Sequence, residues 1–188
     1  MRVIAGKYRS RPLNSLPGLE LRPTADRLRE TLFNVLTAGN PAALEGSVWL
    51  DLFAGTGVVG IEALSRGAEN VIFVEASARA AELIRRNLQS LKVEPHAFRI
   101  VQDEVSQSLR KLKPGKALDF VFLDPPYRME KAYRDTLPLL AAGGLLNPGA
   151  VVIAEHDKRF DPGEKFAALT RYRKLLQGDA ALSFYRLT

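Results

Sequence analysis

From residue 48 onward, short apolar runs alternate with stretches whose apolar residues recur at helical spacing. Residues 48–53, 70–75, 98–103, 117–124 and 150–155 read as strands. Between them, 58–65 (closed by Gly67), 78–91, 105–112 and 130–140 read as helices. Strands that are apolar nearly throughout are buried on both faces, and their alternation with helices makes a parallel sheet. The rhythm breaks at the end. Residues 166–176 and 180–187 flank Gly178-Asp179, the pattern of an antiparallel hairpin closing a sheet edge. The predicted fold class is α/β: a seven-stranded, mostly parallel sheet with an antiparallel closing hairpin and helices on both faces.

Residues 1–14 read as a short basic strand or hairpin bent at Gly6. Pro17, Gly18 and Pro23 make 15–23 a loop. Thr24 is read as the N-cap of a helix over 25–37, with Leu28, Leu32, Val35 and Leu36 on one face. Residues 38–47 are a connector of small residues. This divides the chain into a basic extension (1–40) and a main domain (41–188), one compact unit overall.

Charge sharpens the picture of the extension. The chain carries a net +6. Much of that excess comes from residues 1–30, where Arg2, Lys7, Arg9, Arg11, Arg22, Arg27 and Arg29 face only Glu20, Asp26 and Glu30. A localised basic surface is the footprint of a nucleic-acid binder, its side chains touching phosphates without reading sequence. With Thr24 as N-cap, Arg27 would sit in the first helical turn, where the macrodipole disfavours a cation. Contact with RNA, or an ion pair to Asp26 or Glu30, would account for it.

There is no cysteine, which excludes disulfides, thiolate metal sites and a thiolate nucleophile. The two histidines, His96 and His156, read as structural, so no metal is expected. No apolar run reaches membrane-spanning length and the N-terminus lacks a signal-peptide core. A cytoplasmic monomer is the expectation.

Two motifs carry the chemistry. Gly55-Thr56-Gly57-Val58-Val59-Gly60 follows a strand and opens a helix. Gly55 allows a tight turn, Gly57 a close backbone approach by a ligand, and Gly60 helix–sheet packing. Asp51 precedes this loop, Glu75 ends the next strand and Asp103 the third. Such acids suit a cationic amino acid end, ribose hydroxyls and an adenine amino group. NAD(P) and S-adenosylmethionine both match the glycine pattern. An acid four residues before the first glycine repels a pyrophosphate and favours S-adenosylmethionine.

The second motif is Asp124-Pro125-Pro126-Tyr127 at the end of the fourth strand. The prolines remove two N–H donors and leave carbonyl acceptors. Asp124 and the Pro125 carbonyl can accept hydrogen bonds from one –NH₂ group, and Tyr127 offers a face to stack a base. Catalysis of this kind is positioning and electrostatics.

Together, Asp51–Gly57, Glu75, Asp103 and Asp124–Tyr127 resemble the Rossmann-like class I S-adenosylmethionine-dependent methyltransferases that methylate amino groups. Arg2-Val3-Ile4-Ala5-Gly6-Lys7, the stretch from Arg22-Pro23-Thr24-Ala25-Asp26 to Glu30, Phe33-Asn34 and the stretch from Ile61 to Ala68 resemble the RsmD family. The resemblance implies methyl transfer to the exocyclic N2 of one guanine in the RNA of the small ribosomal subunit. It also implies that Ala54, Gly55 and Gly57 cradle the donor, Glu75 holds its ribose, Asp103 meets its adenine and Thr24 lies in the segment covering it. Asp124, Pro125 and Tyr127 would handle the guanine. Arg2, Lys7, Arg9, Arg11, Arg22, Arg27 and Arg29 would face ribosomal RNA, in a small-subunit particle or assembly intermediate. An adenine-N6 methyltransferase and a non-catalytic RNA-binding assembly factor are the alternatives.

Overall fold

The computed structural model describes residues 1–15, 23–126 and 128–188, with backbone alone at 23–25. Strands β1 (Val48–Leu52), β2 (Asn70–Val74), β3 (Phe98–Val101), β4 (Leu118–Leu123) and β5 (Leu146–Asp157) pair in parallel. Strands β6 (Lys165–Phe166), β7 (Leu169–Gln177) and β8 (Ala180–Leu187) add antiparallel, giving the order β3-β2-β1-β4-β5-β8-β7-β6. Helices α1 (Pro23–Leu36), α2 (Val58–Ser65), α3 (Ala78–Ser90), α4 (Val105–Lys111) and α5 (Glu130–Ala142) cover both faces. None of them is long and apolar enough to cross a membrane.

Strand alternation splits the interior in two. Trp49, Phe73, Phe122 and Ile153 face a core that includes Leu28, Leu32 and Phe33 of α1, Ile61 of α2 and Ile84 of α3. Leu50, Val74, Val121 and Val152 face the second core, with Leu109 of α4 and Tyr133 and Leu137 of α5. Trp49 stacks between Phe33 and Phe120 with ring centroids 5.5 and 4.8 Å away.

The sheet has eight strands where seven were predicted. Residues 166–176 are not one strand: Ala167 adopts φ 49°, and the chain turns back so that Phe166 pairs with Leu169. Left-handed turns normally announce themselves with Gly or Asn, and alanine gives no such signal. At the other end, α1 begins at Pro23, so Thr24 lies inside the helix and is not its N-cap. Proline suits the first turn, where its missing N–H has no intrahelical partner to lose.

The N-terminal arm is bound to the domain by specific hydrogen bonds. Its hairpin closes through Val3 N to Arg11 O and Ser10 N to Val3 O. The backbone N–H groups of Ile4 and Ala5 donate to the two oxygens of buried Glu62 at 2.8 and 2.9 Å. Tyr8 N donates to Ser65 Oγ, and Asn14 N to Asn87 Oδ1. Gly6 has φ +80°, and a Cβ there would overlap the Ser65 carbonyl. Gly6→Ala therefore must lift the arm off α2. The expected result is a loss of about 2–3 kcal/mol in urea unfolding, with the arm newly open to protease. Wild-type stability in that variant would show that the arm does not depend on this contact.

Candidate functional site

Because side chains alternate along a strand, position decides which face an acid joins. Asp51, Glu75, Asp124 and Glu155 each lie two residues beyond Trp49, Phe73, Phe122 and Ile153. They therefore gather on one face at the carboxyl edge of four adjacent strands. Asp51 lies level with Phe73 and Phe122, one layer below the rim. Leu123 is in register with Leu52 and Ala154, so Asp124 and Glu155 stand side by side above it.

The glycine loop is held from beneath by two of these acids. Asp51 is 2% exposed and accepts from Gly60 N at 2.9 Å, fixing the first turn of α2. Glu75 accepts from Gly55 N and Ser77 N, both at 2.8 Å, tying the loop to the start of α3. Each of those oxygens keeps a lone pair for a ligand hydroxyl. Ala54 N bonds to Val74 O, which sets the loop on β2. Gly55 and Gly57 have φ of +55° and +73°. A Cβ on Gly57 would press within 3.0 Å of Ile84, whereas one on Gly55 would meet nothing closer than 3.9 Å. The space above Gly55 is open, and the loop backbone faces it.

None of the four acids is ion-paired to Lys or Arg among the described residues. Burial pushes Asp51 up to about 8, with further push from Asp124 and Glu75 against the pull of the Gly60 bond. Burial likewise raises Asp124 to about 7. Burial first, and then the charge of Asp124, raises Glu155. This donor set fits a bound cation with hydroxyls, as in S-adenosylmethionine, and repels a pyrophosphate.

A test follows from Asp51. Its folded pKa of about 8 lies above an ordinary 3.8, so its ionisation opposes folding. Stability from this group is full below about pH 4 and is lost as pH rises towards 8. Asp51→Asn keeps an acceptor for Gly60 N without the charge. In thermal melts without ligand it should flatten that slope and be more stable than wild type at pH 8. An unchanged slope would remove Asp51 as its source.

The other candidates fall in several places. Pro125 is buried directly after Asp124, and Met129 N bonds to Pro126 O to close the following turn. Tyr127 and Arg22 lie outside the described residues, as does the Thr24 side chain. Asp103 follows β3, accepts from Glu104 N and lies 3.5 Å from Lys111 Nζ. Arg2, Lys7, Arg9, Arg11 and Arg27 are exposed. Arg2, Arg9 and Arg27 line a cleft of about 310 Å³ with Asp26 and Glu30. Arg29 is a correction. It is 5% exposed, donates to Arg2 O at 2.8 Å and Asp26 at 3.2 Å, and lies 3.9 Å from Glu62. It anchors α1 from inside and does not reach a phosphate. Asp26 is thus occupied by Arg29, not by Arg27. Glu155, which the sequence motifs do not single out, lies inside β5, two residues before its end.

This arrangement has clear relatives. Residues 1–186 match the family described as Conserved hypothetical protein 95. The chain is 37% identical to the ribosomal RNA small subunit methyltransferase D of Haemophilus influenzae, over 84% of this chain and 79% of that protein. The solved structure of Escherichia coli yhhF superposes with a TM-score of 0.82 at 33% identity, covering 100% of this chain and 97% of that one. The magnesium protoporphyrin IX methyltransferase of Synechocystis PCC 6803, solved with bound SAM, shares the fold at 15% identity. Its TM-score is 0.71 over 93% of this chain and 86% of that one. The chain belongs to the Conserved hypothetical protein 95 family, the RsmD family that its motifs resemble.

Proposed function

We propose that this protein transfers a methyl group from S-adenosylmethionine to the exocyclic N2 of a guanine in small-subunit ribosomal RNA. The observation that carries the reading is the row of four acids around an open glycine loop, none with a Lys or Arg ion pair among the described residues, with Asp124-Pro125-Pro126 at its rim. The relatives named for ribosomal RNA methylation support the choice of substrate. S-adenosylmethionine, bound over Gly55 and Gly57 with Glu75 at its ribose, would supply an electrophilic methyl on a positively charged sulfur. Thr24 and Asp103 would meet the donor as the family resemblance implies, Asp103 at its adenine.

Asp124 and the Pro125 carbonyl would hold the amino group so that the nitrogen lone pair points at the methyl carbon. Asp124 would accept the proton that the nitrogen loses on receiving the methyl group and pass it to water, with S-adenosylhomocysteine as the other product. Tyr127 would stack the base, extruded from its helix. Arg2, Lys7, Arg9, Arg11 and Arg27 would hold the RNA backbone. The enzyme would work in the cytoplasm as a monomer on a small-subunit particle.

The test is incubation with radiolabelled S-adenosylmethionine and small subunits from cells lacking the endogenous enzyme. Label recovered as N2-methylguanine is expected. Label in N6-methyladenine, or in protein, would replace the acceptor and keep the donor. No label at all would overturn the reading.

A further inference from the structure

Four acids gather on one face at the carboxyl edge of the sheet; Asp51 holds the first turn of α2 and the reading above employs Glu75 and Asp124, leaving Glu155 idle. Glu155 is no loop residue free to turn away. It lies within β5, between β4 and β8, where Leu123 pairs with Ala154 and Glu155 with Leu182. Tyr133 Oη donates to its carbonyl at 2.6 Å. The next residue, His156, is fully buried, with its ring nitrogens on Ser183 Oγ and the Asp157 carbonyl, both at 2.9 Å. The backbone of Glu155 is therefore fixed on three sides. Its carboxyl is half-buried beside Asp124, with no hydrogen-bond or ion-pair partner among the described residues.

We infer that Glu155 is a specificity residue that accepts the N1–H of the target guanine while Asp124 accepts from its N2 amino group. This rests on the functional reading above and extends it to base selection. Neighbouring parallel strands run about 4.8 Å apart, and Asp124 and Glu155 follow the paired Leu123 and Ala154 on two of them. When the two carboxyls share one proton, as close buried acids do, each still presents an outward oxygen that accepts. Guanine offers N1–H and N2–H side by side, and this two-pronged acceptor matches them. Adenine presents a bare N1 lone pair beside its amino group. That lone pair would face the oxygen of Glu155, and the unmet contact rejects it.

The test uses small-subunit RNA ligated with guanine or 2-aminopurine at the mapped target and assembled with its proteins. 2-Aminopurine keeps the 2-amino group and lacks the N1–H. Wild type should prefer guanine on the order of 10–100-fold in kcat/KM. Glu155→Ala should lose most of that preference, chiefly by slower reaction with guanine, and Glu155→Gln should lose it chiefly by accepting 2-aminopurine, since its amide offers an acceptor to the guanine N1–H and a donor to the bare N1. Binding of S-adenosylhomocysteine, measured by calorimetry, should not change. Wild type without preference, or variants that keep the full preference, would overturn the role of Glu155. Loss of S-adenosylhomocysteine binding in both variants would overturn it too, by making Glu155 structural. A wild type that methylates no RNA would instead overturn the functional reading, and this inference with it.

Discussion

Asp124→Ala is expected to lower methyl transfer about 10³-fold while leaving S-adenosylhomocysteine binding within a few-fold of wild type. The alanine variant removes the acceptor that orients the amino group and the oxygen that receives its proton. Such positioned groups contribute roughly 10²–10⁴ in rate. The binding arm separates chemistry from folding, because the glycine loop hangs on Asp51 and Glu75 and not on Asp124. Asp124→Asn divides the effect further. Its amide oxygen still accepts a hydrogen bond, so orientation survives and the charge does not. Activity within about tenfold of wild type would make position the dominant contribution. Activity as low as alanine's would make proton acceptance dominant.

The same residue sets the expected pH dependence. Burial raises Asp124 to about 7, so its ionised form, the one that accepts, is lost as pH falls through neutrality. With free enzyme, kcat/KM should fall about fivefold from pH 7 to pH 6. Asp124→Asn should be flat over that range. Because Glu155 stands beside Asp124, the wild-type profile belongs to the pair. A profile unchanged by Asp124→Asn would place the titrating group elsewhere.

What the sequence made legible was whatever depends on near neighbours. The alternation of apolar strands and helices, the glycine loop and the acids at strand ends all lie within short windows with fixed periods. What escaped depends on partners far along the chain. Arg29 reads as one cation in a basic arm, yet Glu62, thirty-three positions on, draws it inside. Glu155 becomes notable only when sheet order sets β5 beside β4. The start of α1 carries two competing local signals, Pro23 as a first helical residue and Thr24 as an N-cap, and the helix begins at the proline. The turn at Ala167 had no signal, because the two-residue hairpin that pairs Phe166 with Leu169 puts an ordinary residue in a left-handed conformation.

Glu62→Ala should be the most destabilising single change outside the catalytic rim. Glu62 is fully buried in α2 and serves four partners at once. It accepts from the backbone of Ile4 and Ala5, pairs with Arg66 at 2.8 Å and lies 3.9 Å from Arg29. Arg29 is already desolvated, and its Nε has no hydrogen bond. Burial lowers its pKa while Asp26 and Glu62 raise it. Deleting Glu62 leaves that guanidinium buried with Asp26 alone and strands two backbone donors of the arm. Removing one partner of a buried pair costs about 3–5 kcal/mol. In a chain of this size that lowers Tm by about 10 °C. The arm carries Arg2, Lys7, Arg9 and Arg11, so its release should also weaken RNA binding more than S-adenosylhomocysteine binding. Thermal melts, limited proteolysis at the arm and RNA binding measured on one preparation would check all three. Glu62→Gln keeps an acceptor for the arm but not the charge for Arg29 and Arg66, and should fall between. If the glutamine variant equals wild type, the hydrogen bonds to Ile4 and Ala5 hold the arm and the charge is incidental. If it equals alanine, the ion pairs carry the junction between α1, α2 and the arm.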